Sequence, residues 1–575
     1  MHFDLLAQST LDWVQNYDPL GSQFASTIMA ATPVVVLLGL LVAGWQAHRA
    51  AMIGLVIAMG VAIVGYGMPW MSAVAAACYG AAFGLMPIGW IVLAAVFLYR
   101  LTVVSGAFDV VKQSVASISP DHRIQALLIA FSFGSFIEGA AGFGTPVAIS
   151  AALLIGLGFP SLLAAGVALI ANTSPVAFGA LGTPIIVLAD VSGLDEFAPC
   201  KVAGRQLPLF SLLIPAWLVV TMSGWKGLRG CWPAVLVCGG SFSALQFVMS
   251  NYHGPTLVDV VGGLGSLIIT TLFMRFWSPA EIWKFNSDST WNIAKRTAKL
   301  AAAEAVTSES SMKGAYVRAW VPWVLLSVMV LLWGWPSIKS TLNGGTPKLP
   351  NVLKGISQLS FAVPALDQRI YRTAPVAPVA DGRDRADKGE EALYKFNWLS
   401  ATGTAIFIAA WLSAWWLGLS FRTTLTTLQE TLMRLRVALV TIACMLALAY
   451  VTKYSGADAT MGLAFTKTGI WYPFFAPLLG WLGVALTGSD TSSNALFGSL
   501  QRITAEQLNL DPTLIVASNS TGGVMGKMID AQSIVVAAVA TEQPHGEGKI
   551  LRFVFWHSVV LALLMGALTL VQSWM

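Results

Sequence analysis

The chain has 575 residues, 56% of them hydrophobic and only 11% charged, with a mean hydropathy of +0.71. A soluble protein covers its core with about a quarter charged residues, so the composition excludes one and implies a multi-pass protein whose solvent is the lipid bilayer. The net charge of +5 is small and scattered and implies no nucleic-acid partner.

In chain order, Asp4, Asp12 and Asp18 precede the first basic residue, Arg49. A signal peptide starts with a basic region, so the first apolar run reads as an uncleaved anchor. Crossings of about 20 apolar residues are expected near 24–46, 50–70 and 86–104. Residues 71–85 are apolar but short and Gly/Ala-rich, and read as a half-length or interfacial segment. The stretch 124–158 holds an apolar segment, a polar knot and a second segment, the pattern of a re-entrant hairpin. A broken crossing at 161–190 follows, then crossings at 207–224, 231–250, 257–276 and 316–336. Residues 337–397, with TAPVAPVA and the charged run from Asp381 to Glu391, read as a long, solvated, partly disordered loop. Crossings at 398–419 and 433–452 lead to a second hairpin at 471–505, a second broken crossing within 513–541 and a last span at 550–573. The expected fold is an all-α polytopic membrane protein, one transport domain over 1–575. It has about twelve transmembrane helices plus two re-entrant hairpins. The two units are 124–190 and 471–541. Tryptophans at run ends (Trp45, Trp70, Trp277, Trp335) fit an interfacial belt.

An odd number of crossings lies between the hairpins, so they are expected to open from opposite faces, as in the inverted repeats of secondary transporters. Lys and Arg in short loops set the orientation. Arg49, Lys112, Arg123, Lys226, Arg229, Arg422, Arg434, Arg436 and Lys549 gather on one side, with Lys295, Arg296 and Lys299. The other side holds only Lys201, Arg205, Lys453 and Lys467. The first side should be cytoplasmic, with both termini and the 337–397 loop outside.

The first hairpin carries SFIEGAAGFGTP, with Glu138, Gly139, Gly142, Gly144, Thr145 and Pro146. The crossing after it is interrupted by Asn172, Thr173, Ser174, Pro175, Gly179, Gly182, Thr183 and Pro184. The second hairpin carries Thr487, Gly488, Ser489, Asp490, Thr491, Ser492, Ser493 and Asn494. Its following crossing is interrupted by Ser518, Asn519, Ser520, Thr521, Gly522, Gly523, Gly526, Lys527, Asp530 and Gln532. Gly and Pro stop a membrane helix and free backbone donors and acceptors. Half-helix N-termini favour an anionic carboxylate, and neutral Ser, Thr and Asn hold a hydroxy acid without trapping it. Small residues in membrane helices also serve plain packing. For single glycines that reading comes first; for two matched clusters, each with a carboxylate, function does. Candidate substrate contacts are Gly139, Gly142, Thr145, Asn172, Thr173, Ser174, Ser489, Thr491, Ser492, Asn494, Asn519, Ser520, Thr521 and Lys527. Proton-coupling candidates are Glu138, Asp490 and Asp530, because intramembrane ionisable groups are costly and functional by default. A purely structural ion pair between Lys527 and Asp490 or Asp530 is the plainer alternative. Coupling has an energetic motive: an anion entering against an inside-negative potential is opposed by about 2.3 kcal/mol per 100 mV, and a proton cancels its charge.

Other chemistries find little support. Cys78, Cys200, Cys231, Cys238 and Cys444 form no CxxC pair, and the four in apolar runs read as small buried hydrophobes. His2, His48, His122, His253, His545 and His557 show no metal-ligand spacing. GAAGFG at 139–144 is not GxGxxG. Gly488-Ser489-Asp490 lacks the second facing aspartate of an intramembrane protease. No cofactor, metal or enzymatic site is expected.

The strings EGAAGFGTPVAISAALLIGLGFP from Glu138, NTSPVAFGALGTPI from Asn172, LTGSDTSSNALF from Leu486 and NSTGGVMGKMI from Asn519 resemble the L-lactate permease family. So do NYDP at 16–19, GRQLP at 204–208, WPAV at 232–235 and FNWLSATGTAI at 396–406. The resemblance covers nearly the whole chain apart from 280–315 and 337–395. It implies proton-coupled uptake of L-lactate, D-lactate and glycolate across a bacterial cytoplasmic membrane. It also implies an ion-transporter-like fold whose hairpins and broken helices move as an elevator, in dimers. The family continues GKMI with Ser-Pro, where this chain has Asp530 and Ala531. Alternatives are a sodium-coupled carboxylate symporter and a hydroxy-acid channel or receptor that does not concentrate its ligand.

Overall fold

The computed structural model describes residues 12–43, 45–116, 118–140, 142, 145–285, 309–345, 353, 356–377, 385–386, 388–541, 543 and 546–575. His2, Asp4, Gly144, Lys295, Arg296, Lys299 and His545 lie outside the described residues, as do the side chains of Lys112, Thr145 and Gln532 and part of the 381–391 run.

Apart from four short strands the described chain is helical. Six described helices are long and apolar enough to cross a membrane: His48–Gly65, Trp70–Val104, Phe197–Tyr252, Pro255–Phe273, Phe421–Ser455 and Glu547–Gln572. The pair Ser161–Ala171 and Val176–Ser192, bent by 62°, raises the number to up to seven. Other apolar runs form the helices Gln23–Val42, Glu309–Gly334 and Thr402–Trp416. Phe197–Tyr252 is two rods, because Gly224 (φ 66°) and Cys231 (φ −136°) leave the helical region. Its basic residues Lys226 and Arg229 fall at that bend.

Residues 71–85 fall in the short helix Trp70–Phe83 and the turn after it, and the chain runs on into Trp90–Val104 across a break where Met86 (φ −140°, ψ 112°) leaves the helical region before Pro87. A proline inside a helix removes one hydrogen bond and clashes with the preceding turn, so the two helices meet at a kink.

Two helix–turn–helix units hold the motifs. In the first, His122–Gln125, Ala126–Phe133 and Gly134–Ala140 form one outgoing arm and Thr145–Gly156 the return. Its base is anchored by Arg123, ion-paired with Asp121 at 2.7 Å and donating to the carbonyls of Gly227 (3.0 Å) and Glu281 (2.9 Å). The second unit is Tyr472–Thr487 and Asp490–Gln507. Its base is held by Arg502, donating to Ser192 O (2.7 Å), and Gln507, donating to Pro375 O (2.9 Å). Ser192 ends the bent helix that starts at Ser161 beside the first base, so the two bases occupy opposite ends of the bundle. The return arms are exchanged. Thr145–Gly156 packs on Ala531–Ala540, and Asp490–Gln507 packs on Gly179–Ser192.

The end carrying the second base is capped by the N-terminal segment and the 337–397 loop. Strand β1 (Trp13–Val14) pairs in parallel with β3 (Ile370–Tyr371), and β2 (Leu359–Ala362) pairs antiparallel with β4 (Leu393–Phe396). Gln15 donates to Tyr454 O at 3.0 Å, and the Thr460 hydroxyl donates to Tyr17 O at 3.1 Å. Tyr450 also hydrogen-bonds Asp190 at this end.

Candidate functional site

The tips of the two hairpins meet at a cavity of about 600 Å³. Glu138 and Gly142 from the first tip line it, as do Thr487, Gly488, Ser489, Asp490, Thr491 and Ser492 from the second. Val176, Gly179, Ala180 and Pro184 add the break of the first bent helix, and Lys527 adds that of the second. The cavity reaches the surface beside Gln46 and Arg434, both exposed, on the end that carries the basic short loops.

Each break has its own cause. In the first, Ala180, Leu181 and Gly182 lie in succession in the left-handed region (φ 42°, 59° and 76°). That conformation costs roughly 1–2 kcal/mol per non-glycine residue and turns the backbone of 179–184 toward the cavity. In the second, Pro512–Gly526 gives way to a single tight turn at Lys527–Ile529 and an extended Asp530. Asp530 then caps the next helix, accepting from Ser533 N at 2.7 Å.

Both carboxylates press against a glycine of the bent helix that follows them. A β-carbon placed on Gly179 would stand 2.6 Å from Glu138 Oε1, and one on Gly523 would stand 2.3 Å from Asp490 Oδ1. Asp490 Oδ2 accepts from Ser520 (2.5 Å) and Asn494 (3.3 Å), while Oδ1 has no hydrogen-bond partner. Glu138 Oε2 has none either. Lys527 Nζ lies 3.1 Å from Asp530 Oδ2 and donates to Gly488 O at 2.7 Å. Burial exceeds nine-tenths for all four side chains.

The hydroxyl and amide candidates divide in two. In the second half they satisfy one another: Tyr472 donates to Gln501, Gln501 to Asn519, and Asn519 to Asn494. Asn494 also reaches Pro184 O in the other half at 3.1 Å, and Thr521 turns away to Gln206. In the first half, Ser135, Asn172, Thr173 and Ser174 are buried with side-chain atoms that find no partner. Buried polar groups are otherwise nearly always satisfied, yet none of these four side chains lines the cavity; they stand in the wall behind it.

Two expectations are corrected. Asn519, Ser520 and Thr521 stand inside the unbroken helix Pro512–Gly526, not in a break as Asn172–Ser174 do. The glycines around them serve close approach: a β-carbon on Gly522 would meet Pro477 O at 2.0 Å and one on Gly526 would meet Trp481 O at 2.3 Å. Gly139 faces away from the cavity, onto the backbone of Asp259 and Val260. Thr145 opens the return arm, and its side chain lies outside the described residues. Sequence reasoning passed over Gln46, His48, Arg434 and Thr441 at the mouth, and Gln206, Gln501 and Asp259 in the interior. Gln206 and Gln501 each follow or precede an arginine, and Asp259 is a lone acid in an apolar run, so none carried a motif.

A family model described as L-lactate permease matches residues 26–575. The chain is 46% identical to the glycolate permease GlcA of Escherichia coli (strain K12) over 98% of each chain. It is 42% identical to the L-lactate permease of Salmonella typhimurium over 98% of each, and 42% identical to that of Bacillus subtilis over 98% of this chain and all of that one. Among solved structures, Neisseria gonorrhoeae MtrF aligns over 86% of this chain and 82% of that one, at 12% identity and a TM-score of 0.45.

Proposed function

We propose the following function because the chain belongs to the L-lactate permease family: it carries lactate, glycolate and similar 2-hydroxy monocarboxylates together with protons across the bacterial cytoplasmic membrane. It is a permease and not an enzyme. The hairpins enter the membrane from opposite faces as an inverted repeat, and the site between their tips is exposed to each side in turn. The open mouth beside Arg434 faces the cytoplasm, and the strand-bearing cap lies outside.

The charge balance at the cavity carries this reading. Lys527 is already neutralised by Asp530. Glu138 and Asp490 then face the cavity with no ion-paired cation among the described residues. Adding an anionic substrate to two carboxylates out of water is prohibitive; adding it with protons on those carboxyls is not. Thr487, Ser489, Thr491 and Ser492, which line the cavity with Lys527, supply donors for a carboxylate and a 2-hydroxyl, and the unpartnered Asn172, Thr173 and Ser174 stand in reserve behind the cavity wall.

Proteoliposomes with an imposed proton gradient test this. They should accumulate labelled lactate and glycolate, and a protonophore should abolish the accumulation. Glu138→Gln and Asp490→Asn should keep substrate counterflow, which moves no net protons, and lose gradient-driven accumulation. Uptake that persists with protonophore but fails when choline replaces sodium overturns proton coupling in favour of sodium. Absence of counterflow overturns the carrier in favour of a channel.

A further inference from the structure

We propose that Asp259 is a second proton-carrying carboxyl, coupled to Glu138 and placed behind the first hairpin tip, out of reach of the substrate. This rests on the proton-coupled reading above. Asp259 sits in the first turn of Val258–Phe273 and is fully buried. Gly139, next in sequence to Glu138, brings the hairpin backbone onto it: a β-carbon at 139 would lie 2.7 Å from Asp259 Cβ and 2.7 Å from Val260 N. The glycine therefore lets the backbone next to Glu138 lie against Asp259.

Neither oxygen of Asp259 has a hydrogen-bond partner. Among the described residues the charged group acting on it is Glu138, which in turn feels Lys527 and Asp530. A buried carboxylate with no counter-charge and no donor is costly by several kcal/mol, whereas a carboxylic acid is not. Two neighbouring buried acids disfavour each other's ionisation, so they hold at least one proton between them. Glu138 lines the cavity and Asp259 does not. When Glu138 gives its proton to the cavity, the Asp259 proton can move across to it, so the pair carries one shared negative charge until the cavity returns a proton. No bond other than O–H is made or broken.

Asp259→Asn tests the assignment, because an amide copies the protonated acid in shape but cannot pass a proton on. The variant should reach the membrane, keep wild-type counterflow of labelled lactate in proteoliposomes, and lose accumulation driven by a proton gradient. The pH dependence of its net uptake should flatten. Accumulation equal to wild type overturns the proposal, leaving Asp259 a passive neutral acid. Loss of counterflow also overturns it, as does failure to assemble, since either means that the ionised form is needed for structure or binding. If the wild-type protein itself shows no proton-driven accumulation, the coupling reading fails first, independently of Asp259.

Discussion

Lys527→Met is expected to abolish transport and to lower the thermal stability of the purified protein. The substitution leaves Asp530, whose side chain is wholly buried, without its cation, and leaves Gly488 O without its donor. Removing one partner of a buried pair costs roughly 3–5 kcal/mol, because the other charge stays buried and uncompensated. That penalty would mask any role in substrate binding. The double variant Lys527→Met with Asp530→Asn separates the two effects: removing both charges together is nearly neutral for stability, so its melting temperature should recover. Its transport should not, because the cation that lines the cavity is gone. A double variant that folds and transports like wild type would reduce Lys527 to a structural counter-ion.

The glycines against the carboxylates give the second large effect. Gly523→Ala is expected to cut transport about 10- to 100-fold, the equivalent of about 1–3 kcal/mol of overpacking, while the protein still assembles. The new methyl would overlap Asp490 Oδ1 at 2.3 Å and crowd Val484 at 2.9 Å. Aspartate has little freedom to yield, and its other oxygen is held by Ser520. Gly179→Ala should act in the same direction but more weakly, since Glu138 is longer and can swing aside. Gly522→Ala is the contrast. There the clash is with the Pro477 backbone, so the helices cannot close and assembly itself should fail. Uptake assays paired with size-exclusion profiles distinguish these outcomes; equal transport by Gly523→Ala and wild type would remove Asp490 from the transport cycle.

The sequence made the architecture legible where polarity and apolar length spoke together. The polar, glycine-rich strings around Glu138 and Asp490 are the places where the described helices turn, and Asn172–Pro184 is where one bends by 62°. Legibility failed where one residue type serves two purposes. Gly522 and Gly526 read as helix breakers, yet they sit in an intact helix because their backbone packs on Pro477 and Trp481. The true break, at Lys527–Asp530, contains no glycine. Asn519 matches Asn172 in composition but not in place. Only three-dimensional contacts show that one belongs to a satisfied network and the other to an unpartnered set. Asp259 was hidden for the opposite reason, as a lone acid in an apolar span with no motif around it.

The strand pairing at the cap bears on the order in which the molecule is made. Gln15 finds its partner at Tyr454, 439 positions later, and Trp13 aligns with Ile370. A nascent chain emerges N-terminus first, so the earliest residues synthesised wait through most of translation for the segments that will hold them. Contacts at such separation form late, after local helices and hairpins have already closed. The first hairpin and its bent helix can be assembled while the N-terminal segment is still untethered, and the cap cannot close until Tyr454 has been made.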